Sequence, residues 1–141
     1  MADLRALFEQ RAQAWARRDA AALASGYAED AVVTSPMFPG AEGRAAIEKS
    51  FVSLFRVFPD WEMTFEPTCV DPDGTRVMQA CHVRATQRGD FMGIGATGKR
   101  VEFDCVLIMD VGGGLIARER RIYDFTGVLI QLGVLRSKPA M

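Results

Sequence analysis

DFMGIGATGKRVEFD (Asp90 to Asp104) and GLIARERRIYDFTGVLIQLG (Gly114 to Gly133) decide how this chain folds. Gly93 to Gly98 satisfies the GxGxxG pattern, and Lys99 almost completes a P-loop. Both loops work only if a helix comes directly after them, so that its first amides meet phosphate. Instead the glycines lead into Val101, Phe103, Cys105 and Val106, a β-branched and aromatic run typical of a strand, and Arg100 stands where a P-loop needs Ser or Thr. The glycines therefore read as a connection between long strands, Thr75 to Gln87 and Lys99 to Asp110. Gly112-Gly113-Gly114 then reverses the chain into a further strand, Leu115 to Asp124.

Working outward, Trp61, Met63 and Phe65 alternate with Glu62, Thr64 and Glu66, the period of a half-buried strand, and Asp71-Pro72-Asp73-Gly74 is a turn. Towards the N-terminus the period becomes helical. Leu4, Leu7, Phe8, Ala14 and Trp15 predict a helix from about Asp3 to Arg18, and Asp19 caps a second one that carries Leu23 and Tyr27 inward. In YAEDAVVTSP, Ala31 to Thr34 predict a short strand stopped by Pro36 and Pro39. Ile47, Phe51, Leu54, Phe55 and Phe58 form the strongest helical stripe, ended by Pro59. Helices first and an antiparallel run of strands afterwards define an α+β fold.

The 141 residues are read as a single domain, 1–141. Seventeen basic against eighteen acidic residues, with no basic run, argue against nucleic acid or anionic lipid as partner. The longest apolar runs are too short to span a membrane and the N-terminus is amphipathic rather than signal-like, so the expected location is cytoplasmic. Cys69, Cys81 and Cys105 have neither CxxC spacing nor an even count. They are expected to be buried or half-buried thiols, with no metal site and no cofactor.

Two of the stretches carry a resemblance. DFMGIGATGKRVEFD is similar to the G-x-F-x-G-x-x-x-T-G-K stretch of the SnoaL-like polyketide cyclases, and YDFTGVLIQLG resembles their closing D-x-x-G-x-L-x-Q-L-G. The resemblance implies the cone-shaped, cystatin-like or nuclear transport factor two-like fold: N-terminal helices on a curved, mixed but mainly antiparallel sheet that encloses a pocket. It also implies a hydrophobic small-molecule ligand. The superfamily includes cyclases, ketosteroid isomerases, limonene-type epoxide hydrolases, dehydratases and proteins without catalysis, so fold alone leaves function open. Carried across residue by residue, the acid/base aspartate of the cyclases and epoxide hydrolases falls on Arg121. The cyclase histidine falls on Leu107, and the isomerase base falls near Ser35. An arginine does not shuttle protons near neutral pH.

If position 121 faces the cavity, strand alternation puts Glu119 and Tyr123 beside it. His82, the only histidine, shares a strand face with Met78, Ala80, Arg84 and Thr86. The expected chemistry is cofactor-independent cyclisation, isomerisation or lyase action on an apolar, polyketide-like carbonyl compound through an enolate. His82 or Glu119 would be the base, with Arg121 and Tyr123 polarising the oxygen. Glu119 is equally the partner that would orient Arg121. The expected ligand surroundings are Trp15, Tyr27, Ser35, Phe51, Phe55, Arg84, Phe103, Cys105, Leu107, Tyr123 and Asp124, although the aromatics also read as core and Asp124 as a cap for a helix over Thr126 to Leu132. Two alternatives stand beside this. One is a non-catalytic domain that holds its ligand through Arg121 or Arg84; the other is a limonene-type epoxide hydrolase using Glu119. The outer sheet face around Lys99 to Asp110 is expected to pair in a homodimer.

Overall fold

The helical stripes form as the spacing predicts. Leu7, Ala14 and Trp15 are buried along α1 (Leu4–Arg17), and Arg11, in the middle of the same stripe, is buried with them. Asp19 caps α2 (Ala20–Ser25) by accepting the Ala22 N–H at 3.0 Å. Ile47 and Phe51 are the buried stripe of α3 (Arg44–Val57), which ends at Phe58 with Pro59 behind it. A computed structural model describes residues 4–136, apart from the side chains at positions 38 and 39. Among the described residues no helix is long and apolar enough to cross a membrane.

Seven strands form one sheet. These are β1 (Tyr27–Ser35), β2 (Phe38–Glu42), β3 (Glu62–Phe65), β4 (Cys69–Val70), β5 (Arg76–Thr86), β6 (Arg100–Gly112) and β7 (Leu115–Tyr123). Their order is β2-β1-β7-β6-β5-β3, with β4 also paired to β5. Only β1 with β7 is parallel, so the sheet is mixed and mainly antiparallel. The β5/β6 register runs without a shift from Arg76 opposite Asp110 to Thr86 opposite Arg100. It therefore sorts the side chains cleanly. Val77, Cys81, Val83 and Ala85 are buried opposite Met109, Cys105, Phe103 and Val101, while Met78, His82 and Arg84 point outward.

Two sequence expectations need correction. The strand expected over Ala31 to Thr34 spans Tyr27–Ser35; it stops before Pro36 as expected, but the chain then turns and Pro39 lies within a further strand, β2. Pro39 is tolerated because β2 is an edge strand, where one missing N–H costs no ladder bond. Cys69 is exposed, since β4 is a two-residue strand outside the core; only Cys81 and Cys105 are buried thiols.

The residues that carried the resemblance frame the fold. Gln87, fully buried, donates to the carbonyls of Gly89 and Gly95 and accepts the Thr97 hydroxyl at 2.6 Å, clamping the glycine-rich connection. Asp124 caps α4 (Phe125–Gln131) by accepting the Gly127 N–H, and a Cβ on Gly127 would meet that carboxylate at 2.5 Å. Gln131 exchanges two bonds with the Glu102 backbone, at 2.7 and 2.9 Å, and so fastens α4 to β6. Gln87→Leu is expected to lower stability in urea unfolding by about 1–2 kcal/mol and to speed proteolysis within 88–98, because the clamped groups lose their partners. Gly127→Ala is expected to cost about 1 kcal/mol, the worth of the displaced cap.

Candidate functional site

A buried carboxylate lies on the face of the sheet that α1 covers. Glu119 on β7 is inaccessible to solvent. Its Oε1 accepts from Arg11 Nη2 at 2.7 Å and from the Tyr27 hydroxyl at 2.5 Å, and its Oε2 accepts from Arg121 Nε at 2.5 Å. Arg11 Nη1 also donates to the Tyr27 oxygen at 2.9 Å. A carboxylate stays ionised inside a protein only with partners of this kind. Burial would push Glu119 up, but the charges of Arg121 and Arg11 outweigh it and hold the carboxyl at about 2. Burial pushes the Tyr27 hydroxyl up to about 12. Burial would likewise lower Arg121, and the Glu119 charge reverses that, leaving a permanent cation.

Arg121 lies two residues further along the same strand face and reaches a cavity of about 540 Å³. Its guanidinium sits 5.2 Å from the Phe51 ring centroid. Beside it the Tyr123 and Ser35 hydroxyls are 2.9 Å apart, and both residues line the cavity. Burial raises the Tyr123 pKa against the opposing effects of the Ser35 hydrogen bond and Arg121, keeping the phenol protonated. Most of the wall is apolar: Trp61, Met63, Phe58, Phe91, Phe103 and Leu107 among others. Glu42 on β2 and Lys49 on α3 add charge, and both are exposed. Among the described residues Glu42 is the only carboxylate on the wall, and no cluster of three or more potential metal ligands occurs.

Of the residues singled out from sequence, Trp15, Ser35, Phe103, Cys105, Leu107, Arg121 and Tyr123 line this cavity. Tyr27 and Phe51 lie behind the wall, fully buried, and Phe55 packs on Trp15 and Phe51 without reaching it. The remaining expectations are corrected by position. His82 is on the outer face, held between Asp104 at 2.8 Å and Glu102 at 2.7 Å, because the β5 alternation that buries Cys81 and Val83 turns it out. Those bonds to Asp104 and Glu102 raise its pKa. It does not reach the cavity and cannot be its base. Arg84 also points outward and pairs with Glu62 at 2.8 Å. Asp124 is the cap of α4. Glu119 is sealed behind Arg121, so of its two expected roles the orienting one fits and the base and epoxide-hydrolase roles do not.

Sequence reasoning missed Arg11, Glu42, Lys49 and Trp61. Arg11 had a signal, a charge at the centre of an apolar helical stripe. Glu42 had none, since its place depends on the turn that joins β1 to β2.

The description of the SnoaL-like polyketide cyclases matches residues 6–132. The chain belongs to that family. No curated protein sequence matches it. Among solved structures this SnoaL-like chain is similar to AclR from Streptomyces galilaeus, with 26% identity, a TM-score of 0.79, and 96% of this chain and 88% of AclR covered. It is also similar to IdmH from Streptomyces antibioticus, with 25% identity, a TM-score of 0.72, and coverage of 94% and 99%. A protein with a ketosteroid isomerase-like fold from Catenulispora acidiphila shares the architecture at 16% identity and a TM-score of 0.76, covering 92% of this chain and 93% of that one.

The buried network gives two measurable expectations. Arg11→Met removes one of the two cations that neutralise Glu119 and should cost about 3–5 kcal/mol in urea unfolding. The folded Glu119 value, about 2, is below its ordinary 4.5. Its ionised form therefore stabilises the fold above pH 4.5, and that contribution is lost as pH falls towards 2. Glu119→Gln should lower stability at neutral pH and make the acid limb of the stability profile shallower.

Proposed function

We propose that this SnoaL-like chain is a cofactor-independent enzyme of the cyclase, isomerase or lyase type that acts on an apolar, polyketide-like carbonyl compound through its enolate. The observation that carries the reading is the fixed guanidinium of Arg121, set into an otherwise apolar wall beside the Tyr123 hydroxyl. A cation held by Glu119 needs no reorganisation when negative charge develops on a substrate oxygen, and an apolar surrounding strengthens the interaction. Glu42, the carboxylate of the wall, takes the proton from a carbon flanked by two carbonyls. The electron pair moves to the carbonyl oxygen on Arg121 and Tyr123. In a cyclisation the enolate carbon then attacks a second carbonyl of the same molecule, and the new alkoxide recovers a proton.

A second reading is favoured by one observation: Arg121, the residue at the family's acid/base position, is a permanent cation. A binding domain would use it to hold a keto or anionic ligand without turnover. The homodimer is proposed through the outer sheet face, where exposed Val106 and Ile122 lie between Arg118 and Arg120 on one side and Glu102 and Asp104 on the other, with exposed Met78 level with Arg120. A two-fold axis would bring the opposite charges together.

Turnover of an anthraquinone β-keto methyl ester, with heat-treated protein as control, tests the reading. Arg121→Met should lower kcat/KM by about 10²–10³. Glu42→Gln should lower kcat by about 10²–10⁴ while leaving binding in place. Tight binding of the ester with no turnover by the unaltered protein would instead establish the binding role. Val106→Glu should shift the mass measured by light scattering from dimer to monomer.

A further inference from the structure

Two cysteines face each other across β5 and β6. Cys81 is paired directly opposite Cys105, and both thiols are free and buried on the inner face of the sheet. The Cys81 Sγ lies 3.4 Å from the Cys105 carbonyl oxygen. Opposite residues of an antiparallel pair have Cα atoms about 4.5–5.5 Å apart, within the span of about 4.4–6.8 Å that a disulfide bridges. Their Cβ atoms are also about 4.5–5.5 Å apart, whereas a disulfide holds them at about 3.8 Å, so closure draws the two side chains together by about 1 Å. A bond closed against the pleat in this way is readily reduced again.

The two thiols are not equivalent. Cys105 lines the cavity and Cys81 does not. Each is 4% exposed, which shuts out bulky thiol reagents and admits to Cys105 an oxidant hardly larger than water that has entered the cavity. The hydrogen bond between the thiols lowers the Cys105 pKa, burial opposes that, and the Arg121 charge adds to the lowering. The same bond and burial raise Cys81. A thiolate is the nucleophile, so Cys105 is the sulfur that reacts first. Cys69 is exposed on β4 opposite the outward-facing Met78, away from the pair.

We propose that Cys81 and Cys105 form an oxidative modification site for small hydroperoxides, closing reversibly to a cross-strand disulfide in the cavity wall. The Cys105 sulfur attacks one oxygen of hydrogen peroxide, the O–O bond breaks, and the departing hydroxide takes the thiol proton and leaves as water. The Cys81 sulfur then attacks the Cys105 sulfenic acid: the S–S bond forms, the S–O bond breaks, and the second hydroxide leaves with the Cys81 proton as water. Both sulfurs are oxidised and the peroxide is reduced. The site stands independently of what the cavity binds.

The test uses the folded Cys69→Ser protein, whose altered residue is exposed on a two-residue strand. It is treated with hydrogen peroxide at neutral pH, remaining thiols are blocked with iodoacetamide in urea, and tryptic peptides are mapped by mass. Cleavage after Arg76, Arg84, Arg100 and Arg118 places Cys81 in 77–84 and Cys105 in 101–118. These two peptides should be recovered linked, from a monomeric band on a non-reducing gel, and dithiothreitol should part them. With Cys81→Ser added, Cys105 should stop at the sulfenic acid, captured on 101–118 by dimedone supplied with the urea. Thiols that survive a treatment able to oxidise Cys69 fully in the unaltered protein would overturn the proposal. So would oxidised Cys105 with Cys81 left free, or a link that forms only in the unfolded chain. Absence of the dimedone adduct would overturn the assignment of Cys105 as the first sulfur to react.

Discussion

The ion pair between Glu119 and its two arginines is the constraint on which the other features of the site rest. A fully buried carboxylate without partners would protonate or unfold its surroundings, so Arg11, Tyr27 and Arg121 have to be where they are. Those residues come from α1, β1 and β7, three elements distant in sequence. Such a pair is weak evidence for net stability, because desolvation offsets much of the attraction. Its clearer consequence is positional. Arg121 is locked at one end by Glu119 and lies against Phe51, so its guanidinium is presented to the cavity in one orientation.

The family motifs and the site are largely different residues. Thr97, Gly127 and Gln131 belong to the motifs, and each secures a loop or a helix: Thr97 through Gln87, Gly127 through the Asp124 cap, Gln131 through the Glu102 backbone. None of the three lines the cavity. A match to the family therefore reports the frame directly, while the cavity wall is made in part by positions such as 121, 42 and 61, which lie outside those motifs.

Readable from the sequence were the elements with strong periodicity. The α3 stripe, the alternation of β5 and the pairing of Glu119, Arg121 and Tyr123 on one face each follow from local spacing. Local spacing also sets the two faces of a strand apart, but it does not say which face meets the core. It groups His82 and Arg84 correctly on one face, yet the cavity roles expected of them put that face on the wrong side of the sheet. Reading Val77, Cys81, Val83 and Ala85 as the buried set would have settled it, since the opposite face carries the charges. The addition of β2 and the approach of Glu42 to the cavity depend on the turn at Pro36 and Met37, where no period exists to read. Trp61 reads from its spacing only as part of a strand. Arg11 is the legible exception, because a charge inside an apolar stripe calls for a buried partner.

The central claim is that Arg121 stabilises negative charge on an oxygen within an apolar cavity. A phenol that changes colour on ionisation, such as 4-nitrophenol, mimics an enolate and reports that stabilisation directly when its absorbance is titrated in the bound state. Stabilisation by Arg121 requires the bound phenol to ionise at a lower pH than the free one, and Arg121→Met to abolish the shift. A bound phenol that ionises at a higher pH in the native protein, as burial in an apolar cavity alone would cause, would contradict the claim.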